Sequence, residues 1–113
     1  MTFYLISFPS VAMDLDESEF AAAGRDSRAV IAEMKAAGVY RFGGGIDEAV
    51  AAVQVGADGT ITQQTYPQSR ELNGGMTIID VETREEALEW ARKTTVGCHT
   101  VQELRQFMDD PAM

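Results

Sequence analysis

The chain has 113 residues, a length that suits one domain, so we expect a single domain over residues 1–113. Its formal net charge of −9 argues against a nucleic-acid-binding protein, because phosphate backbones would be repelled. The chain has one cysteine, which excludes an internal disulfide and a metal site built from several thiolates. It also has only one histidine, so no second histidine could bind a metal ion together with it. We therefore expect neither a metal nor a cofactor.

The N-terminal segment has no basic residues before its apolar stretch, and Pro9 follows soon after it. A signal peptide is therefore not expected. No apolar run approaches the roughly 18 residues that a membrane span needs. We expect a soluble cytoplasmic protein that has no membrane partner.

The first predicted element is a strand over residues 2–8, which are aromatic and branched and are followed by Pro9. Both faces of this strand are apolar, which is typical of a strand covered on both sides. A helix is predicted next, with Asp16 as its cap, Glu19 completing a capping box, and Gly38 just beyond its end. Its apolar stripe comprises Phe20, Ala23, Val30, Ile31 and Met34.

The middle of the chain predicts short strands separated by turns. Residues 39–42 predict a second strand, and the glycines at 43–45 that follow are typical of a bulge or turn rather than of a phosphate-binding loop. Residues 51–64 predict a hairpin whose turn is Asp58-Gly59. Residues 66–73 predict a loop.

A further strand is predicted over residues 75–81, followed by a helix with Thr83 as its cap and Glu86 three residues later. This helix is expected to end at Gly97 and to bury one apolar face, formed by Ala87, Leu88, Trp90 and Ala91. Residues 99–107 fit either a strand or a helix. We favour the strand, because closure of an α+β sheet needs one more strand.

This order predicts an α+β fold, a ferredoxin-like β-α-β-(hairpin)-β-α-β sandwich. Two helices cover only one face of such a sheet, yet residues 2–8 and 76–81 are apolar on both faces. Each large apolar side chain left in water would lose roughly 1.5–3 kcal/mol. The pattern therefore predicts a symmetric homodimer with two sheets packed face to face, or else a cover supplied by a bound ligand or by the chain's own tail.

Two titratable residues are candidate catalytic groups. His99 is the only histidine, and histidine is the residue type best suited to act as a general base near neutral pH. A structural or surface histidine is the alternative. Asp80 lies within a predicted strand beside apolar neighbours, where an inward-facing carboxylate would be typical of a working acid or base. A solvated or paired carboxylate is the alternative for Asp80.

Four other polar residues are candidates for ligand binding. Ser27 falls on the apolar stripe of the first helix, where its hydroxyl either bonds back to a helix carbonyl or faces a cavity. Tyr66, Arg70 and Glu71 lie on the predicted loop, where polar groups above an apolar cleft could orient a small ligand. A surface ion pair between Arg70 and Glu71 is the alternative.

The stretch YPQSRELNGGMTIIDV at residues 66–81, followed by EALEWA at 86–91, resembles the YCII-related family in its DGPF-motif branch. The segments FYLI at 3–6 and KAAGV at 35–39 are also similar. The resemblance covers most of the chain. It implies a dimeric α/β barrel of the ferredoxin-like type.

The chain departs from the family pattern at the positions that suggest chemistry. The family's signature DGPFAETKE appears here as QQTYPQSRE at residues 63–71. Members suspected of catalysis carry a histidine on the first helix and an aspartate just after the second, where this chain has Ser27 and Thr94. The resemblance therefore implies a fold and leaves open whether the chain is an enzyme.

We expect a small homodimeric α/β-barrel protein of unknown biochemical role that binds a small, mostly apolar molecule in a cleft. The alternative is an isomerase- or lyase-like enzyme that transfers a proton on a cyclic carbonyl or aromatic compound. Its base would be His99 or Asp80, and Tyr66 or Arg70 would stabilise the oxyanion. A purely structural interaction module is a third possibility.

Overall fold

A four-stranded antiparallel sheet with two helices on one face forms the body of the protein in the computed structural model, which describes residues 1–113. The elements are β1 (Thr2–Ser7), α1 (Glu17–Ala36), β2 (Tyr40–Gly45), β3 (Gln54–Val55), β4 (Ile61–Thr62), β5 (Gly75–Val81), α2 (Arg84–Cys98) and β6 (Glu103–Gln106). The strand order is β2-β5-β1-β6, and β3 pairs with β4 in a separate hairpin. This topology confirms the predicted α+β, ferredoxin-like architecture.

The core lies between the sheet and the helices and is set by the alternation of side chains along β1 and β5. Tyr4 and Ile6 of β1 stand opposite Ile79 and Thr77 of β5, and these side chains face the helices. The buried apolar residues form one cluster, consisting of Tyr4, Ile6, Val30, Met34, Val39, Ile79, Val81, Ala87 and Ala91.

Both helices begin with the predicted caps, because these depend only on neighbouring residues. The Asp16 carboxylate accepts from the Glu19 amide at 2.7 Å, and the Thr83 hydroxyl accepts from the Glu86 amide at 3.2 Å. The predicted end of α2 at Gly97 is wrong. The helix runs to Cys98, and His99 closes it in the left-handed conformation with φ of 54°.

Gly97 brings the two helices together instead of ending one of them. A β-carbon built on Gly97 would lie 2.8 Å from Val30 Cγ2 and 3.1 Å from the Asp26 carbonyl oxygen of α1. The absence of a side chain therefore allows the two helix backbones to approach closely.

Two helix residues and two strands, β2 and β6, differ from the expectation. Phe20 and Leu88 are 61% and 49% exposed, so the apolar stripes are wider than the surface that the sheet covers. The glycines at 43–45 continue β2, and the register shift lies between Tyr40 and Phe42 instead. Residues 103–106 form the favoured last strand, which is shorter than predicted.

The paired strands of the hairpin and strand β1 are also shorter than the sequence predicts. Within the predicted hairpin of residues 51–64, only Gln54–Val55 pairs with Ile61–Thr62. Residue 8 lies outside β1. Neither α1 nor α2 combines the length and the apolar character that a membrane-spanning helix requires.

The sheet face opposite the helices, which we call the open face, carries apolar side chains: Phe3, Leu5, Phe42, Met76, Ile78 and Phe107. Three phenylalanines on it are 40–59% exposed, namely Phe3, Phe42 and Phe107. The chain's own tail leaves this face uncovered, because Phe3 and Phe42 remain 40% and 59% exposed in its presence.

Candidate functional site

A cavity of about 250 Å³ opens between α1, the C-terminal half of α2 and one end of the sheet. Its apolar lining consists of Phe8, Met13, Phe20, Ala23 and Ile31, and Met76, whose side chain lies on the open face, also borders it. Its polar lining consists of Ser27, Thr77, Thr94, Cys98 and Gln102, and no charged residue contributes to it. We call this space the helix–sheet cavity.

Glycines at the ends of β2 and β5 also border this space, namely Gly44, Gly45 and Gly75. At Gly75, a β-carbon would lie 2.7 Å from the ring of Phe8, so this glycine lets the Phe8 ring lie directly against the strand. Of the glycine run at residues 43–45, Gly44 and Gly45 thus border the cavity from strand β2.

The hydroxyls in the cavity differ in whether the chain already satisfies them. Ser27 Oγ donates to the Gly24 carbonyl at 3.2 Å, and Thr94 Oγ1 donates to the Trp90 carbonyl at 2.8 Å. Both bonds stay within one helix, as expected for the first of the two interpretations of Ser27. Ser27 nevertheless borders the cavity as well, so both interpretations hold.

The sequence analysis missed Gln102 and Thr77 as polar residues of the cavity wall, and of these two only Thr77 is buried. It is buried on the helix-facing side of β5, borders the helix–sheet cavity, and its hydroxyl makes no hydrogen bond within the chain. The hydroxyl oxygen is not sealed off, because Asp80 Oδ1 is the only enclosed side-chain polar atom that lacks a hydrogen-bond partner. The sequence marks Thr77 only as the one polar residue on its side of the strand, where it alternates with Ile79 and Val81.

Cys98 contributes a thiol to the same cavity. Burial raises the pKa of the Cys98 thiol above its usual value, because a charged thiolate would lose solvation there. The group is therefore a neutral, weakly polar part of the wall at neutral pH. Its chemistry matches that of the other lining residues, which are also uncharged.

His99 lies next to Cys98 in the chain but does not border the helix–sheet cavity. Its Nε2 atom is 2.8 Å from Asp26 Oδ2, and its Nδ1 atom is 3.8 Å from Glu19 Oε2. The histidine thus connects the end of α2 to α1 at the surface.

Asp80 lies on the open face, on the opposite side of the sheet from the helix–sheet cavity. Its Oδ2 atom is 3.1 Å from Arg41 Nη2, as in the paired-carboxylate alternative. Its Oδ1 atom is enclosed and has no hydrogen-bond partner.

The three loop candidates also lie apart from the helix–sheet cavity. Tyr66 and Arg70 border a surface depression together with the hairpin residues Gln54 and Gln64. Glu71 borders a more polar cavity of about 380 Å³ at the end of the open face. Arg70 and Glu71 form no ion pair with each other.

Of the six site residues predicted from the sequence, the structure therefore places only Ser27 in the helix–sheet cavity. Tyr66 and Arg70 lie together, whereas His99, Asp80 and Glu71 lie in three other places. No group of three or more His, Cys, Asp and Glu side chains is arranged to hold a metal ion.

No model of a known protein family matches this chain, and no curated protein matches it significantly. The fold and the helix–sheet cavity are therefore the features that bear on function.

Proposed function

We propose that this protein binds a small, neutral, mostly apolar molecule in the helix–sheet cavity. The observation that carries the proposal is the cavity itself, whose wall is largely aromatic and aliphatic and includes the unpaired hydroxyl of Thr77. Such a site, apolar with few polar groups, is the usual form of a small-molecule pocket.

The volume and charge of the cavity restrict the ligand. An engineered apolar cavity of roughly 150 Å³ holds benzene. The helix–sheet cavity, at about 250 Å³, therefore suits one ring with a few substituents. No cationic side chain lines it, and the chain's net charge of −9 repels anions, so a neutral ligand is favoured.

We also propose that the protein works as a homodimer whose open faces pack together. Three partly exposed phenylalanines on this face support the proposal, because burying them against a second copy would remove apolar surface from water. The resemblance to the YCII-related family, with its dimeric α/β barrels, agrees with the proposal. The proton-transfer enzyme has less support, because His99, Asp80 and Tyr66 lie in separate places.

The ligand proposal is tested by thermal unfolding with matched pairs of neutral ring compounds, such as phenol with benzene and a six-membered lactone with cyclohexane. A ligand present at 100 times its Kd stabilises the folded state by about 2.7 kcal/mol. This corresponds to a Tm rise of several degrees for a chain of this size. We expect the polar member of a pair to give the larger rise.

Thr77→Val tests the role of the unpaired hydroxyl, because valine keeps the shape of threonine. We expect it to weaken binding of the polar ligand about 3- to 10-fold, the value of one hydrogen bond, and to leave the apolar ligand unaffected. Thr62→Val, on the exposed strand β4, is the matched control and should change neither. The proposal is overturned if no ligand of the panel raises the Tm, and the role of Thr77 is overturned if Thr77→Val leaves the polar ligand's affinity unchanged.

A further inference from the structure

The hairpin between β2 and β5 has one apolar and one polar face. We call residues 49–66 the arm. Val55 stands opposite Ile61 on one face, and Gln54 stands opposite Thr62 on the other. On the polar face the Gln64 side-chain amide donates to Gln54 Oε1 at 2.8 Å. On the apolar face Val55 and Ile61 are 67% and 66% exposed.

The arm projects from the body of the protein. Its strands form a separate sheet and pair with no strand of the main sheet. The radius of gyration is 15.6 Å, compared with about 13 Å for a compact domain of this length. An isolated two-stranded hairpin is only marginally stable in water. Strands with alternating polar and apolar residues normally bury the apolar side, so the apolar face of the arm lacks its cover.

The arm is also almost free of charge. Asp58, at the turn, is the only charged residue between residues 49 and 69, whereas 24% of the whole chain is charged. Depletion of charged residues is characteristic of the centres of protein interfaces. It also allows two chains of net charge −9 to approach each other there with little local repulsion.

The area of the open face indicates what covers the arm. A buried aromatic side chain contributes roughly 200 Å², so the three half-exposed phenylalanines offer about 300 Å² together. The other apolar residues of this face, Leu5, Met76 and Ile78, are less exposed and add less. A stable interface buries about 800 Å² on each partner. The open face therefore needs a further apolar surface, and in a symmetric dimer each arm contact would be made twice.

We propose that the apolar face of the arm packs against a second copy of this chain and completes the interface that the open face begins. This inference rests on the proposed homodimer. It adds to that proposal a second contact surface, made by Val53, Val55 and Ile61.

Neighbouring residues on β4 provide a matched test, because Ile61 lies on the apolar face and Thr62 on the polar face. We expect sedimentation equilibrium of the unmodified chain to give about twice the monomer mass of 12.3 kDa. Ile61→Glu should raise the Kd of the dimer at least about 10-fold, because it places a carboxylate in an apolar contact. Thr62→Glu should change this Kd less than about 3-fold, as expected for a surface charge.

Two measurements distinguish loss of the arm contact from other failures. Thermal unfolding at a dilution where all variants are monomeric should give Ile61→Glu and Thr62→Glu the same Tm, because both side chains are exposed within their own chain. Phe42→Glu separately tests the open face and should also dissociate the dimer.

Each outcome decides between the proposals. If Phe42→Glu dissociates the dimer and Ile61→Glu does not, the role of the arm is overturned and the face-to-face dimer stands. If Ile61→Glu and Thr62→Glu weaken the dimer equally, charge rather than apolar contact is responsible, and the role of the arm is again overturned. An unmodified chain that is monomeric at micromolar concentration overturns both, whereas ligand binding in the helix–sheet cavity is measured independently.

Discussion

The two faces of the main sheet are built from alternate residues of the same strands, yet they have different surroundings. On β5, Ile79 faces the helices and is fully buried, whereas its neighbour Ile78 faces the open side and is half-buried. The sequence gives no reason to rank these two isoleucines, because both are apolar and both lie within the strand. The difference comes from what packs on each face. The helix-covered face holds the fold together, and the open face is available for association.

The largest loss of stability is expected from a substitution on the helix-covered face. Ile79→Ala should lower the free energy of unfolding by about 2–5 kcal/mol, because it removes a fully buried side chain and leaves a cavity. Ile78→Ala is the matched control. It should cost less than half as much in dilute protein, where the open face stays in water. Urea denaturation of both variants measures the two values.

The difference between the two isoleucines should also depend on protein concentration. If a second copy covers the open face, the cost of Ile78→Ala grows as the protein is concentrated and the dimer forms. The loss of unfolding free energy caused by Ile79→Ala should be nearly the same in dilute and in concentrated protein, because Ile79 is already buried within its own chain. Equal costs for both substitutions in dilute protein would show that the two faces do not differ as described.

Features that depend on adjacent residues could be predicted from the sequence. The Asp16 and Thr83 caps require only a side chain and an amide three residues later, and both form as predicted. The alternation along β1 and β5 likewise indicated strands with two apolar faces. The favoured strand near the C-terminus is also present, although it begins at Glu103.

Features that depend on packing between distant residues could not be predicted in this way. Gly97 has the same local signature whether it ends a helix or allows α1 to approach, and only Val30 of the other helix decides between them. The loop residues Tyr66 and Glu71 are only five positions apart but border different depressions. Thr77 was missed because it becomes a site residue only where α1 and α2 leave a space beside it.

Two helical glycines provide the next test, since one lies in the contact between the helices and the other has room. Gly97→Ala should destabilise the protein by about 1–3 kcal/mol, because its β-carbon would lie 2.8 Å from Val30 Cγ2. Gly24→Ala would meet only the flexible end of Arg28, at 3.2 Å. It should therefore stabilise the protein by up to about 1 kcal/mol through better helix propensity.

Urea denaturation of these two variants measures both changes in the free energy of unfolding, and one result would contradict the described helix contact. If Gly97→Ala is neutral or stabilising, the helices are not held as closely as described, and the wall of the helix–sheet cavity that they form is not fixed either. A destabilising Gly24→Ala would indicate instead that the middle of α1 has a neighbour that the structure lacks.

The smallest expected effect concerns reactivity at the cavity wall. The thiolate is the form of cysteine that reacts with iodoacetamide. Because burial raises the pKa of the Cys98 thiol, the folded protein has a smaller thiolate fraction than the unfolded chain at any pH below that raised pKa. We therefore expect Cys98 to be alkylated more slowly in the folded than in the urea-unfolded protein at pH 7.5. The rate should rise as the pH approaches the raised pKa.

A ligand adds a second comparison to this measurement. Cys98 borders the helix–sheet cavity, so a bound ring compound should slow its alkylation further, and Thr77→Val should weaken that protection for the polar ligand alone. Equal alkylation rates in the folded and unfolded protein would contradict the burial of the thiol. If alkylation is slow and no ligand changes its rate, the thiol is buried but Cys98 does not lie in the ligand-binding site. Burial alone lowers the reactivity of the thiol, whereas further protection requires a ligand in the cavity.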